Sequence, residues 1–205
     1  MQVDFGPMSL ISIAPGHRLH TNTSQFPFSM GYRARRNGVN GVVTTGHAGG
    51  IFNGVAIWNG LPNRQNIIGN VEAFQLNDVD ASFVRLMTSA TATTQLTGHG
   101  NHTPSVHNPR LGDVVTHIGT GSGTLRSSQH TVIHTGRFFE GSGGTVWGIE
   151  AVLTSGNPIV NGDSGGIVFH HSTRSVSGII MGSMSDFMIY SPASRINAAL
   201  GLQMH

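Results

Sequence analysis

Residues 162–166 read Gly162-Asp163-Ser164-Gly165-Gly166, and this stretch directs the reading of the whole chain. A serine flanked by glycines can present its hydroxyl from a tight turn. Glycines carry no Cβ, so a substrate backbone can approach closely. Backbone N–H groups in such a turn can converge on one point, which suits negative charge developing on a carbonyl oxygen. Ser164 is thereby a candidate nucleophile. A serine hydroxyl is weak until a base removes its proton, so a histidine and a group to orient it must lie elsewhere in the chain.

Composition sets the frame for that search. The chain has 205 residues, 29 of them glycine, with only 10% charged residues. Such a composition reads as a turn-rich β protein with an uncharged polar surface. No run of about 18 apolar residues occurs, which argues against a membrane partner. All eleven basic residues are arginines and the net charge is only +2. The cluster Arg33, Arg35 and Arg36 has no repeated aromatic company, so a nucleic-acid partner is not expected. Cysteine is absent, which excludes disulfides, thiolate chemistry and cysteine metal sites.

Short strand-like runs recur between Gly, Asn and Pro: residues 41–45, 81–86, 113–118, 129–134, 145–150, 165–169 and 177–181. They predict a sandwich or barrel. Ala193, Ile196, Ala199 and Leu200 follow helical spacing with Gly201 behind them, which predicts a short C-terminal helix. Residues 98–112, rich in His, Asn and Pro, read as a loop between two packed β units, 1–98 and 113–205. His130 and His134 are four apart, which suits a metal pair on a helix. Their Thr-Val-Ile surroundings read as a strand instead, so no metal is expected there.

Of twelve histidines, His47 has the context that matches the nucleophile. It stands in Thr44-Thr45-Gly46-His47-Ala48-Gly49-Gly50, where a β-rich run meets a glycine-rich turn. The orienting group should be a carboxylate, because it must accept from the far ring nitrogen and stabilise the imidazolium. Asp80 opens the apolar run Ala81-Ser82-Phe83-Val84-Arg85-Leu86. Asp78 is its rival.

The order His47, Asp80, Ser164, in TTGHAGG, DASFVRL and NGDSGG, resembles the chymotrypsin-like serine endopeptidases. The similarity is greatest to the short bacterial branch of alpha-lytic protease and the streptogrisins, and it runs from about Phe28 to Leu202. An aromatic three residues after Asp80 favours it over Asp78. The resemblance implies an all-β fold of two perpendicular six-stranded antiparallel β-barrels with a short C-terminal helix. It implies attack by Ser164 on a peptide carbonyl, His47 as base and then acid, and Asp80 holding the imidazole. Gly162 and Ser164 would supply oxyanion-hole amides. The chemistry needs no metal or organic cofactor. It implies polypeptide substrates and a secreted monomer, with a signal and any pro-segment outside the sequence. The order Ser, acid, His of α/β-hydrolases does not match.

Several positions depart from the pattern. Ala48 stands where most relatives carry a disulfide cysteine, so packing must replace a contribution of about 2–4 kcal/mol per bridge. Asp163 has no evident cation: His117, Arg126 or backbone amides are its candidate partners. Met181 stands where a serine usually supports the aspartate, which implies one donor fewer. The substrate pocket is expected along residues 155–161 and 180–186, with Pro158, Asn161, Met181, Gly182 and Ser183 contacting substrate. No acid lies at its base, which favours an apolar or uncharged polar residue before the cut. Asp186 keeps a basic preference as the minority option. The competing function is a protease-fold binding protein with little or no turnover, against which the intact His47, Asp80 and Ser164 argue.

Overall fold

The computed structural model describes residues 10–22, 26–48, 51–61, 66–142, 145–156 and 159–205. Two twisted β-sheets carry most of the described residues. The first runs in the order Leu202–Met204, Arg33–Arg36, Val39–Thr44, Ala81–Leu86, Ile67–Gln75, Ala56–Asn59, Arg18–His20, Phe28–Ser29. The second runs Thr103–Val106, Ser175–Met184, Ile167–His170, Val114–Gly119, Arg126–Ser142, Thr145–Thr154, Phe187–Pro192. Phe187–Pro192 also pairs back onto Ser175–Met184, which closes six of these strands into a barrel.

The expected all-β double-barrel architecture is present, and its two halves close differently. The first half is an open, curled sheet. Its edge strand Phe28–Ser29 and the strand Arg33–Arg36, next to the opposite edge, are consecutive pieces of one run of chain. Between them the Gly31 amide donates to Val43 O at 2.9 Å, and the Val43 amide donates to Tyr32 O at 2.8 Å. The run therefore bends from one flank of the sheet to the other, and covalent continuity does the work of a closing ladder.

The strand expectations survive with small shifts, because apolar runs in this chain are short and bounded by turn residues. Ala81–Leu86 coincides with its expected range, and residues 145–150 extend to Thr145–Thr154. The loop expected at 98–112 holds a strand, Thr103–Val106, parallel to Ser175–Met184. It lies at the edge of the sheet, where one side of the backbone needs no ladder partner. Pro104, which masked the strand in the sequence, is tolerated there. The expected helix spans Ala193–Leu200 and buries Ala193, Ile196 and Leu200. Gly201, in the left-handed conformation, ends it.

A single apolar cluster joins both sheets. Tyr32, Val43 and Phe83 from the first pack with Ile118, Ile167, Phe169 and Ile179 from the second, and with Ile196 and Leu200 of the helix. All seven sheet residues are fully buried. Smaller clusters fill the interior of each half. In a chain without cysteine, this shared core is the covalent-free link between the halves.

That sharing has a measurable consequence. Phe83→Ala removes a ring from the joint core and should destabilise the protein by about 3–5 kcal/mol. Far-UV circular dichroism and tryptophan fluorescence should still report one coincident unfolding transition. Two resolved transitions would show that the halves do not share a cooperative core.

Candidate active site

Two paired strands bring His47 and Asp80 together. Strand Val39–Thr44 runs antiparallel to Ala81–Leu86, with Thr44 opposite Ser82. The residues just beyond that pair, Thr45-Gly46-His47 on one strand and Asp80 on the other, meet at the same end of the sheet. The Asp80 carboxylate is buried and collects four donors. Oδ1 accepts from the amides of Gly46 at 2.8 Å and His47 at 2.9 Å. The Thr45 hydroxyl donates to Oδ2 at 3.1 Å, and His47 Nδ1 donates to the same oxygen. Ser82 Oγ donates to Thr45 O at 2.8 Å, holding the loop that carries these donors. Asp78 instead makes an exposed ion pair with Arg137 at 2.5 Å.

The donor expected to be missing has been relocated. Met181 does occupy the strand beside the turn, and its carbonyl lies 3.3 Å from Ser164 Oγ. The hydroxyl on Asp80 comes from Thr45, two residues before the histidine. Thr45 Oγ1 also sits 2.7 Å from His47 Nδ1. Sequence reading missed Thr45 because a threonine in a β-rich run is unremarkable.

On the opposite side of the cleft, Ser164 Oγ lies 3.2 Å from His47 Nε2. With Nδ1–H committed to Asp80, Nε2 is the accepting nitrogen of the neutral ring. Burial alone would lower the His47 pKa, but the hydrogen bond and negative charge of Asp80 outweigh it, and the net shift is upward.

The turn around Ser164 is fixed from both sheets. Ser29, fully buried, donates through Oγ to Gly162 O at 2.7 Å, and its amide donates to Ser164 O at 2.7 Å. The Thr120 amide donates to Ser29 Oγ at 2.8 Å. The amides of Asp163, Gly165 and Gly166 donate to Val160 O, Ile180 O and Asp163 O. Among the described residues, the amides of Gly162 and Ser164 have no protein acceptor. Gly165 adopts φ +84, and a Cβ there would lie 2.3 Å from Thr44 Oγ1 and 2.5 Å from Ser29 O. Only glycine lets the turn close against the first sheet.

Asp163 is fully buried, and its carboxylate accepts from the amides of Gly121 at 2.6 Å and Val160 at 3.0 Å. Of the three candidate partners, backbone amides hold it. Burial pushes its pKa up; those amides and the more distant charge of Arg126 offset only part of that. His117 is engaged elsewhere, 2.9 Å from His130 Nε2 through Nδ1. His130 Nδ1 lies 2.8 Å from Ser155 O and must donate to it. His130 Nε2 then accepts, and His117 Nδ1 donates. Burial, with the charges of His130 and Arg126, holds the His117 pKa down to about 3, so it is neutral at pH 7.

A cavity of 280 Å³ opens beside Ser164 and His47, lined also by Phe26, Pro27, Phe28, Ala48, Asn161 and Gly162. The three residues 26–28 were not anticipated; their apolar character was legible, but their distance in sequence from the motifs hid them. Met181, Gly182 and Ser183 do not line this cavity. A Cβ on Gly182 would meet nothing within 4 Å, so this strand presents open backbone to solvent. Pro158 lies outside the described residues. Asp186 is exposed in the turn before Phe187–Pro192.

Known proteins of similar architecture can now be compared. Thermobifida fusca protease A superposes with a TM-score of 0.72 at 20% identity, covering 94% of this chain and 98% of that one. A Nocardiopsis protease gives 0.74 at 20% identity, covering 95% and 99%. The alpha-lytic protease homolog N4 gives 0.75 at 18% identity, covering 95% and 100%. The chain has the chymotrypsin-like protease fold. No protein-family model matches the sequence, and no curated protein matches it by sequence. The likeness therefore shows the architecture alone. Among the described residues, no helix is long and apolar enough to cross a membrane.

Ser29→Ala tests how the turn is held. It leaves Gly162 O and the Thr120 amide buried without partners, at about 1–3 kcal/mol. Thermal unfolding should shift down by about 2–4 °C per kcal/mol for a chain of this size. An unchanged midpoint would mean that Ser29 does not anchor the turn.

Proposed function

We propose that this protein is a serine endopeptidase. The observation that carries the proposal is the contiguous chain from Ser164 Oγ through His47 to Asp80, facing two amides with no acceptor. His47 Nε2 takes the Ser164 proton as Oγ attacks the carbonyl carbon of a peptide bond. The new C–O bond places negative charge on the carbonyl oxygen, where the Gly162 and Ser164 amides donate. The imidazolium is stabilised by Asp80, whose carboxylate is held in place by Gly46, His47 and Thr45. His47 then protonates the leaving amine, leaving an acyl-enzyme. Water, deprotonated by the same His47, releases the acid and restores Ser164.

The cavity's position suggests which side of the substrate it receives. His47 delivers its proton to the leaving amine, so the product amine departs past His47. The cavity shares His47 and Ala48 with Phe26, Pro27 and Phe28. We assign it to an apolar residue on the C-terminal side of the cut. The N-terminal side of the substrate would lie along Met181, Gly182 and Ser183, in extended backbone pairing. Asn161, exposed at the mouth, contacts the same substrate. A secreted, monomeric enzyme without a catalytic cofactor fits this reading.

Labelling with a fluorophosphonate probe tests the nucleophile. Folded wild type should be labelled stoichiometrically and Ser164→Ala should not; unlabelled folded wild type would sink the proposal. The raised His47 pKa sets a second expectation. The ring must be neutral to act as base, so the acid limb of kcat/KM should lie above the ordinary histidine value of about 6.5. Asp80→Asn removes both upward causes and leaves desolvation, so the limb should move below that value. Its kcat should fall about 10⁴-fold through loss of the correct tautomer. A limb that stays in place would show that Asp80 does not act on His47.

A further inference from the structure

Three side chains that this chemistry does not use meet in the second barrel. His107 follows the edge strand Thr103–Val106, and its amide donates to Val176 O at 2.8 Å. Asp113 closes the next turn, its amide on Arg110 O and its Oδ2 accepting the Arg110 amide at 2.7 Å. His170 ends strand Ile167–His170, and its carbonyl accepts the Arg174 amide at 2.8 Å. His107 Nε2 lies 2.8 Å from Asp113 Oδ2. The two imidazole rings are 4.4 Å apart between centroids. One donor atom from each residue lies within 4.8 Å of the other two, and all three are half-buried.

We propose that His107, Asp113 and His170 bind a divalent transition-metal ion of the zinc type. Two imidazoles and a carboxylate form the borderline donor set that zinc takes, with a fourth position left for water. Metal–donor distances of about 2.0–2.1 Å place tetrahedral ligands about 3.4 Å apart. Small ring rotations reach that spacing from the present one. His170 Nδ1 lies 3.0 Å from Thr173 Oγ1. The Thr173 amide donates to the same nitrogen at 3.4 Å, and together these contacts orient the ring. Binding replaces the His107 Nε2–H bond to Asp113: Nε2 turns to the ion and the ring's single proton moves to Nδ1, a tautomer change with no net proton release.

The ion would be a cross-link rather than a catalyst. Its ligands come from the connection between the halves, from the turn before Val114–Gly119 and from the end of Ile167–His170. Residues 107 and 170 enclose a long loop, and pinning such a loop restricts the unfolded chain as a disulfide would. The chain has no cysteine to do this.

Zinc titration of chelator-stripped protein by calorimetry tests the site. Wild type should bind one equivalent with a low-micromolar Kd, and saturating zinc should raise the thermal midpoint by about 5 °C or more. Cobalt should give the intense visible bands of a tetrahedral site, a readout that needs no variant. His170→Gln and Asp113→Asn should each weaken zinc at least 30-fold, whereas His134→Gln, exposed on strand Arg126–Ser142, should not. Absence of saturable binding, faint octahedral cobalt bands, or an unchanged Kd in His170→Gln would overturn the proposal.

Discussion

The Ser164 turn depends on a buried carboxylate that, among the described residues, has no cation against it. Asp163 sits fully buried between two amides, those of Gly121 and Val160. An ionised group so placed is costly unless its oxygens are fully hydrogen-bonded. The fold meets that need by pressing a glycine-rich segment onto it. A Cβ at Gly121 would lie 2.1 Å from Val160 and 2.7 Å from Asp163 Oδ1, and one at Gly119 would lie 2.6 Å from the same oxygen. With the carboxylate fixed, the peptide planes on either side of it are fixed too. The carbonyls of Gly162 and Ser164 point to Ser29, and their amides remain free. The turn's shape is therefore an internal property of the described chain, set by main-chain donors.

The same economy runs through the rest of the site. Around the site, main-chain donors and small hydroxyls supply much of what holds the side chains in place. Thr45 supplies the hydroxyl on Asp80, Ser29 ties the turn to the first sheet, and Ser191 Oγ accepts the Asp80 amide at 3.2 Å. The His117–His130–Ser155 chain is neutral throughout and joins three strands inside the second barrel. A low content of charged residues is thus visible in the interior as well as on the surface. Buried hydroxyls and imidazoles each satisfy one or two neighbours without the desolvation that a buried ion pair carries.

What was legible in the sequence is what is encoded locally. Strand Ala81–Leu86 and the helix Ala193–Leu200 follow from their own apolar spacing and from the glycine behind the helix. His47, Asp80 and Ser164 were found because each lies in a short motif whose neighbours serve the same task. Ser29 and Thr45 were not found, because single hydroxyls are common and their partners lie far away in sequence: Ser29 bonds Gly162, 133 positions on. The edge strand Thr103–Val106 was hidden by Pro104, which reads as a loop signal until the strand is seen to lie at an edge. The way the first sheet curls was hidden for a related reason. Whether two flanks meet is a property of how residues 28–36 bend, and no residue type announces it. The cavity at Phe26 to Phe28 needed both facts, the bend and the turn it faces.

The division of labour between the halves gives the geometry its meaning. Every side-chain and main-chain donor on the Asp80 carboxylate comes from residues 45–47, on the first sheet. Ser164 and the amides beside it belong to the second barrel. The gap between Ser164 Oγ and His47 Nε2, 3.2 Å, is therefore set by how the halves dock rather than by either half alone. Three features fix that docking: the Ser29 bonds across the interface, the close seating of Gly165 against Thr44, and the shared core around Phe83, Ile118 and Ile179. A hydrogen bond weakens steeply with displacement and misalignment, so a slip of an ångström at the interface would separate His47 from Ser164 while leaving both halves folded. The joint core is thus more than a source of stability. It holds the distance on which the proposed proton transfer depends.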